Sequence, residues 1–296
     1  MILCADIRED MIRLGLFSSD GHVLSRRDVR TAFDRYRTPV QNTLMEACRS
    51  LMKEAPGEVK GIGISTLGCV DFSGTVTDAR DRIPGYNGIP LAGLLEKAFH
   101  LPVCALNHAQ AVALGEHELG AGRGFQNVIT ADLGSDTGLG IILNNHLYRG
   151  TSGFAGDVGH MTLYRDGFPC PCGKRGCFHL YADPSALARR AGRISWHAVL
   201  EQAHQRNPAM LEALDAWVDD LCAGLTGLIL LFNPDCLIIS GPLITEDRLV
   251  LQPLRQRILS SVMSCVSDRL SILSARLGDE AALAGALRYW LECRSE

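Results

Sequence analysis

The sequence has no apolar run long enough to cross a bilayer. Its longest, around Leu225 to Phe232, falls well short of the ~20 residues a spanning helix needs. A signal peptide is not expected either, because the opening MILCADIRED has neither a basic start nor an extended apolar core. No charge of one sign dominates. The formal net charge is -4, which argues against a general nucleic-acid surface. Internal repeats and low-complexity linkers are also missing from the sequence. What is there is ordinary globular composition, 47% hydrophobic and 21% charged over 296 residues, enough for two domains with sizeable cores.

Cysteine is not scarce, but the eleven present do not form a disulfide framework in a chain of this length. Cys4, Cys48, Cys69, Cys104, Cys222, Cys236, Cys265 and Cys293 are scattered in apolar surroundings, a pattern expected of a reducing, cytoplasmic setting. The other three fall in GFAGDVGHMTLYRDGFPCPCGKRGCFHLY, residues 153–181. There His160 is followed after nine residues by Cys170-x-Cys172 and after four more by Cys177. One imidazole and three thiols at this spacing suit a tetrahedral zinc ion. Gly167, Pro169, Pro171, Gly173 and Gly176 make the segment a loop, and a bound metal would offset the entropy of ordering it. Four protein ligands leave no open coordination position, so the zinc is expected to be structural. Thiolates and imidazole favour zinc over iron. The plainer alternative is a set of buried or free thiols beside a core histidine.

The periodicities predict alternating strands and helices. Residues 2–7 and 11–17 read as strands, with a third, HVLS, after the turn Ser18-Ser19-Asp20-Gly21. Thr38 and Pro39 read as N-cap and first turn of a helix reaching about Glu54, with Val40, Leu44, Ala47, Cys48 and Leu51 on its apolar face. Val59–Ser65 is a strand, Leu91–Phe99 an amphipathic helix, and Pro102–Leu106 and Gln126–Leu133 are strands. Ile141–Leu143 and the turn Asn144-Asn145-His146 form a hairpin. From Asp183 the chain is mostly helical, with a long helix from Met210 to Phe232 stopped by Asn233-Pro234-Asp235 and followed by a strand from Cys236 to Ser240.

GFAGDVGHM followed by CPCGKRGC resembles the signature of the ROK family (repressors, open reading frames, kinases), and the resemblance can be followed along nearly the whole chain. It implies an α/β, actin-like ATPase (ribonuclease H-like) fold with a cleft between two α/β domains. The first would span residues 1–118, with the closing helix 281–296 packing back on it. The second would span 119–280 and carry the zinc loop. The family's sugar-contacting positions map onto Gly68, Asp81, Asn107, His108, Asp157, His160 and His179, of which His160 would serve both metal and sugar. Asp157 and His179 stand where the family has glutamates, and Asp81 aligns only loosely.

The nucleotide positions depart from the pattern. The first phosphate turn, Asp-x-Gly-Gly-Thr in the family's kinases, reads Asp6-Ile7-Arg8-Glu9-Asp10. Side chains at Arg8 and Glu9 would crowd the phosphates, and Glu9 and Asp10 would repel them. Arg8 would attract a phosphate without restoring the backbone approach. The general-base aspartate is His108, in Asn107-His108-Ala109 through Gly115-Glu116. A histidine accepts protons, but with a larger ring and none of a carboxylate's geometry. The second phosphate loop keeps Gly134, Ser135 (for Thr) and Gly138 but has Asp136 where a glycine belongs. At the adenosine turn, Ser240-Gly241-Pro242, the proline removes a backbone donor.

The scaffold positions survive and the chemistry positions fail, so the expected function is that of a pseudokinase, a sugar-binding sensor or regulator that has lost phosphoryl transfer. The alternative is an active hexose or amino-sugar kinase using ATP and Mg²⁺, with His108 as catalytic base. A scaffold protein with no small ligand is the third. The family's repressors carry an N-terminal winged helix-turn-helix, whereas this chain starts at its first strand, so direct DNA binding is not expected. A regulatory role would then act through a protein partner, and the resemblance implies a homodimer.

Overall fold

The structure is a computed structural model that describes residues 1–18, 20–31, 36–80, 82–134 and 137–294. The chain opens with an antiparallel meander of β1 (Ile2–Ile7), β2 (Met11–Phe17) and β3 (Val23–Arg30). β1 is buried along its whole length, Asp6 included, as suits a strand inside the sheet. β3 is the sheet edge, and its exposed positions and arginines guard that edge against further pairing. α1 (Val40–Lys53) buries the expected apolar face. Its N-cap is Pro39 rather than Thr38, because Pro39 holds ψ at 137°, outside the helical region, and no side chain caps the first turn.

β4 (Gly61–Thr66) lies parallel to β1. A two-stranded ribbon follows, β5 (Cys69–Val70) with β6 (Val76–Asp78), then α2 (Leu91–Phe99), which ends on His100 in a left-handed conformation. β7 (Val103–Asn107) pairs parallel to β4 and runs without a break into α3 (His108–Glu118). The first sheet has the order β3-β2-β1-β4-β7.

The second sheet repeats that arrangement. Its strands are β8 (Val128–Leu133), β9 (Thr137–Leu143), β10 (His146–Leu147), β11 (Cys236–Ser240) and β12 (Ser271–Ser274), in the order β10-β9-β8-β11-β12. Ranked along the chain, both sheets read third, second, first, fourth, fifth. β11 is parallel to both β8 and β12. The metal-loop segment, with a short 3-10 turn at Val158–His160, lies between β10 and α4 (His179–Ala182). Then come α5 (Pro184–Arg190), α6 (Trp196–His204) and the long α7 (Pro208–Phe232), which stops at Asn233 in a left-handed conformation. α8 (Gln252–Ser261) and α9 (Ser264–Ser267) separate β11 from β12, and α10 (Ala281–Glu292) closes the chain.

The chain divides into two compact units. One contains Met1–Gly124, Gly140–Ala155 and the chain from Arg276 onward; the other contains Phe125–Leu139 and Gly156–Ala275. The closing helix therefore belongs with the first unit. Residues 140–155 belong there too, unlike the expected 119–280 division. The reason is local packing. Gly140 sits against Ala109 and Ala113 of α3, and the Gln110 amide donates to the carbonyls of Gly153 (3.0 Å) and Ala155 (3.1 Å). The closing segment is held by close contact and by a buried acid. A Cβ on Gly285 would lie 1.8 Å from the Ala111 carbonyl oxygen, so only glycine lets α10 lie this close to α3. The fully buried Glu116 accepts the backbone N–H groups of Ala121 (2.8 Å), Arg276 (2.8 Å) and Leu277 (2.7 Å). Among the described residues no helix is long and apolar enough to cross a membrane.

Candidate functional site

In the second unit, the ligand atoms of His160, Cys170, Cys172 and Cys177 all lie within 4.8 Å of one another. His160 Nδ1 is 3.5 Å from Cys170 Sγ, and Cys172 Sγ is 3.6 Å from Cys177 Sγ. A tetrahedral zinc with bonds of about 2.0–2.3 Å separates its ligands by roughly 3.3–3.8 Å, so these donors fit such an ion in type and spacing. Burial pushes the Cys177 thiol up to about 12, further raised by Cys170 and Cys172.

The loop reaches this geometry through its backbone. Cys170 N–H donates to the Lys174 carbonyl (2.8 Å) and Gly173 N–H to that of Cys170 (3.0 Å), folding the two nearer cysteines into a tight turn. Isolated bridges pair Thr162 with Cys177 and Pro169 with Arg175. Gly176 has φ 67°, and a Cβ there would fall 1.6 Å from the Tyr164 carbonyl oxygen. The buried Phe178 packs on Gly224 of α7, and Tyr164 donates to the buried Asp220 at 2.6 Å. His179, the first residue of α4, places Nε2 3.2 Å from Cys170 Sγ, and its ring centroid is 5.0 Å from that of His160. Asp157 is exposed at the start of the 3-10 turn.

In the first unit, the end of β1 and the start of α3 meet. Asp6, 1% exposed, accepts from Ser65 Oγ (2.6 Å) and from His108 Nδ1 (2.8 Å). Burial alone would raise the Asp6 carboxyl. The His108 charge and hydrogen bond, with Arg8 and Ser65, outweigh burial and hold it at about 2. Asn107 is committed as the cap of α3: its Oδ1 accepts from Ala109 N–H (2.9 Å), and its Nδ2 donates to the Gly68 carbonyl (2.7 Å). Gly68 thus joins Asn107 through its backbone.

The turn after β1 is closed on itself. Arg8 N–H donates to the Met11 carbonyl at 2.8 Å. The Glu9 carbonyl accepts from Thr31 Oγ1 (2.5 Å) and from the Tyr36 hydroxyl, and the Glu9 carboxylate pairs with Arg82 at 3.3 Å. In the second unit, Gly241 lies against the end of β8, 2.9 Å from the Leu133 carbonyl oxygen as measured from an added Cβ, next to Gly134. Gly138 lies within β9. Asp81, Ser135 and Asp136 lie outside the described residues.

Sequence reasoning missed two residues of these clusters. Ser65 read only as the end of a buried strand, yet it completes the bonding of Asp6. Arg149 had no role assigned from the sequence, yet its buried guanidinium stacks on the rings of Phe72 (4.7 Å) and Tyr289 (5.1 Å) and donates to Gln110 Oε1 and the Val70 carbonyl. A charged residue with no local partner was the only signal.

A sequence profile of the ROK family matches residues 2–292. The chain belongs to the ROK family. It is 33% identical over 238 residues to the xylose repressor of Bacillus subtilis, covering 79% of this chain and 62% of that protein. The chain thus spans under two thirds of the length of that ROK repressor. It is 30% identical over 309 residues to the glucokinase of Streptomyces coelicolor, covering 95% of this chain and 94% of that enzyme. Among solved structures, the ROK family glucokinase of Streptomyces griseus in complex with glucose and AMPPNP has a TM-score of 0.81 at 30% identity, over 97% of this chain and 98% of that one. The ROK hexokinase of Thermus thermophilus has a TM-score of 0.85 at 28% identity, over 100% and 99%. The ROK likeness confirms the α/β, actin-like fold, which the two sheets of one strand order already carry.

Proposed function

We propose that this ROK protein binds a sugar and acts as a sensor or regulator without transferring a phosphoryl group, and that its cysteine-histidine loop holds a structural zinc ion. The observation that carries this reading is the closed turn after β1. The Glu9 carbonyl and carboxylate are engaged by Thr31, Tyr36 and Arg82, and Asp6 is engaged by Ser65 and His108. A turn built this way is held by its own contacts, with the Arg8 N–H given to the Met11 carbonyl, and it carries side chains at Arg8, Glu9 and Asp10 where phosphate binding needs a close backbone approach.

The names of the relatives, xylose repressor and glucokinase, support an aldopentose or aldohexose as the ligand, with an amino sugar as the variant. Asn107, His108 and the Gly68 backbone of the first unit are the groups assigned to it. Zinc would order the loop that carries His160 and His179. A homodimer and a protein partner belong to the same reading.

The Asp6–His108 pair favours a second reading. A buried carboxylate bonded to Nδ1 orients an imidazole as a general base is oriented, which is what an active ATP-dependent kinase would ask of His108. A thermal-shift screen of the zinc-loaded protein with pentoses, hexoses and amino sugars, with and without Mg-ATP, separates the two. The sensor reading expects a sugar shift and no ATP shift. An ATP shift coupled to sugar, with phosphorylated product that disappears in His108→Ala, would overturn it. No shift from any sugar would leave the scaffold reading.

A further inference from the structure

Three adjacent strands of the first unit bring Asp6, Ser65 and His108 to one end of the sheet. Asp6 and Ser65 are register partners on the parallel strands β1 and β4. β7, the other neighbour of β4, runs straight into His108 at the start of α3. A slip of one residue would turn Ser65 to the opposite face. The next residue in the strand, Thr66, sends its hydroxyl elsewhere, to Tyr86 at 2.9 Å.

The directions of these hydrogen bonds place a proton. Ser65, 0% exposed, donates its only hydroxyl proton to Asp6 Oδ1 at 2.6 Å, and its Oγ stands 3.5 Å from His108 Nδ1. With that proton engaged, Oγ has only lone pairs to turn toward the imidazole. Asp6 Oδ1 lies 2.8 Å from the same Nδ1. Burial would raise the Asp6 carboxyl, yet the contacts with His108, Arg8 and Ser65 hold it at about 2, so at neutral pH it is a carboxylate that only accepts. Both groups beside Nδ1 are therefore acceptors, and Nδ1 is the ring nitrogen that carries the proton. In a neutral imidazole so held, Nε2 is the acceptor. The cluster opens on the histidine side: the His108 side chain is 15% exposed and that of Asp6 2%.

We propose that Ser65 is a positioning residue of this site: with Asp6 it fixes the His108 proton on Nδ1, so that Nε2 meets a ligand as a hydrogen-bond acceptor and selects a hydroxyl that donates. Without the Ser65 hydroxyl, Asp6 Oδ1 loses one of its two donors and the carboxylate is free to turn, which releases the ring from one tautomer. The hydroxyl as ligand group rests on the sugar-binding reading, whereas the place of the proton rests on the hydrogen bonds alone. An imidazole in this tautomer can also take a proton from the hydroxyl it meets, so Ser65 has the same role whether His108 holds a sugar or acts on one.

The test is nitrogen NMR of the histidine rings in the full, zinc-loaded chain at pH 8, with the His108 signals assigned by their loss in His108→Asn. Wild type should show a protonated Nδ1 and a bare Nε2. Ser65→Ala should show a mixture of tautomers, and Ser65→Thr should restore the wild-type signals. In Asp6→Asn, whose amide can donate to Nδ1, the proton should move to Nε2. Melting shifts with xylose and glucose read the ligand side. Ser65→Ala should weaken binding of the sugar that shifts wild type by about fivefold, the worth of one net hydrogen bond, and Ser65→Thr should recover it. Fluorine cannot donate, so at one position of that sugar the deoxy and deoxyfluoro forms should both lose binding. A proton on Nε2 in wild type would overturn the proposal. So would a deoxyfluoro series that binds like the parent at every position, or a Ser65→Ala protein that keeps both tautomer and affinity. If neither sugar shifts wild type while Nδ1 holds the proton, the sugar reading falls and the positioning role of Ser65 stands. The wild-type spectrum decides where the proton sits even if a variant fails to fold.

Discussion

The loop from His160 to Cys177 and the turn from Asp6 to Met11 are both short, polar segments, and they direct their donors in opposite ways. In the loop, one imidazole and three thiols converge within 4.8 Å, a spacing that protein donors of this type adopt around a cation. In the turn, carboxylates and carbonyls are taken up by other groups of the chain: Asp6 by Ser65 and His108, Glu9 by Thr31, Tyr36 and Arg82. Polar side chains that satisfy one another form a self-contained element. Thiols and an imidazole brought this close are a set of donors that suits a cation. The family profile spans both segments, but the loop keeps the family's cysteine-histidine pattern while the turn has lost its glycines.

Breaking the loop should have the largest effect. Zinc-binding free energy in small zinc domains is on the order of 10 kcal/mol, and here it would be folding free energy for the loop. Cys177→Ser, or chelation of the wild type, should remove an equimolar zinc and lower the melting temperature more than any other change considered. Metal analysis showing no zinc in the wild type would place the loop in the same self-contained class as the turn.

Breaking the turn's anchor comes next. Removing one member of a buried ion pair typically costs about 3–5 kcal/mol, the loss expected for Asp6→Asn in urea unfolding. The pair also has a pH signature. The Asp6 carboxyl sits at about 2 in the folded protein against an ordinary 3.8. Its pKa is depressed on folding, so its contribution, about 2 kcal/mol, is present above pH ~4 and is lost as the pH falls toward 2. Asp6→Asn should flatten that acid limb. An acid profile identical in wild type and variant would mean that the pair contributes nothing.

The smallest effects sharpen the contrast. Asn107→Ala removes the cap of α3 and should cost about 1 kcal/mol, most of it restored in Asn107→Asp. If Asn107→Ala leaves stability unchanged but abolishes a sugar shift, the side chain belongs to the ligand more than to the helix. Glu9→Gly with Asp10→Gly should cost under about 1 kcal/mol. A Mg-ATP thermal shift gained only in this variant would support the closed turn as the barrier, whereas a shift already present in wild type would sink that idea.

Much of the local structure was legible in the residues. The strands 2–7 and 11–17, the helix Leu91–Phe99 and the strand Cys236–Ser240 appear with the expected bounds, because each is defined by a hydrophobic period and a flanking turn. The His160, Cys170, Cys172 and Cys177 cluster was legible for a similar reason: its ligands lie within one short stretch of chain. Groups joined from distant segments were not. Ser65 meets Asp6 across neighbouring strands, and Arg149 reaches Tyr289 in the closing helix. The start of α1 was misplaced by one residue, because Pro39 takes an extended ψ that the Thr-Pro pattern does not specify.

By itself the sequence determined most of the secondary structure, the grouping of His160 with three cysteines and the loss of the phosphate-turn glycines. Each is a property of contiguous residues, set by period, spacing or the presence of a Cβ. Only the tertiary structure decided that two sheets without any repeated sequence share one strand order, that residues 140–155 pack with the first unit, and that Asp6 is paired with His108. Strand order and ion pairing depend on which distant segments hydrogen-bond and exclude water together, and no local period encodes that choice.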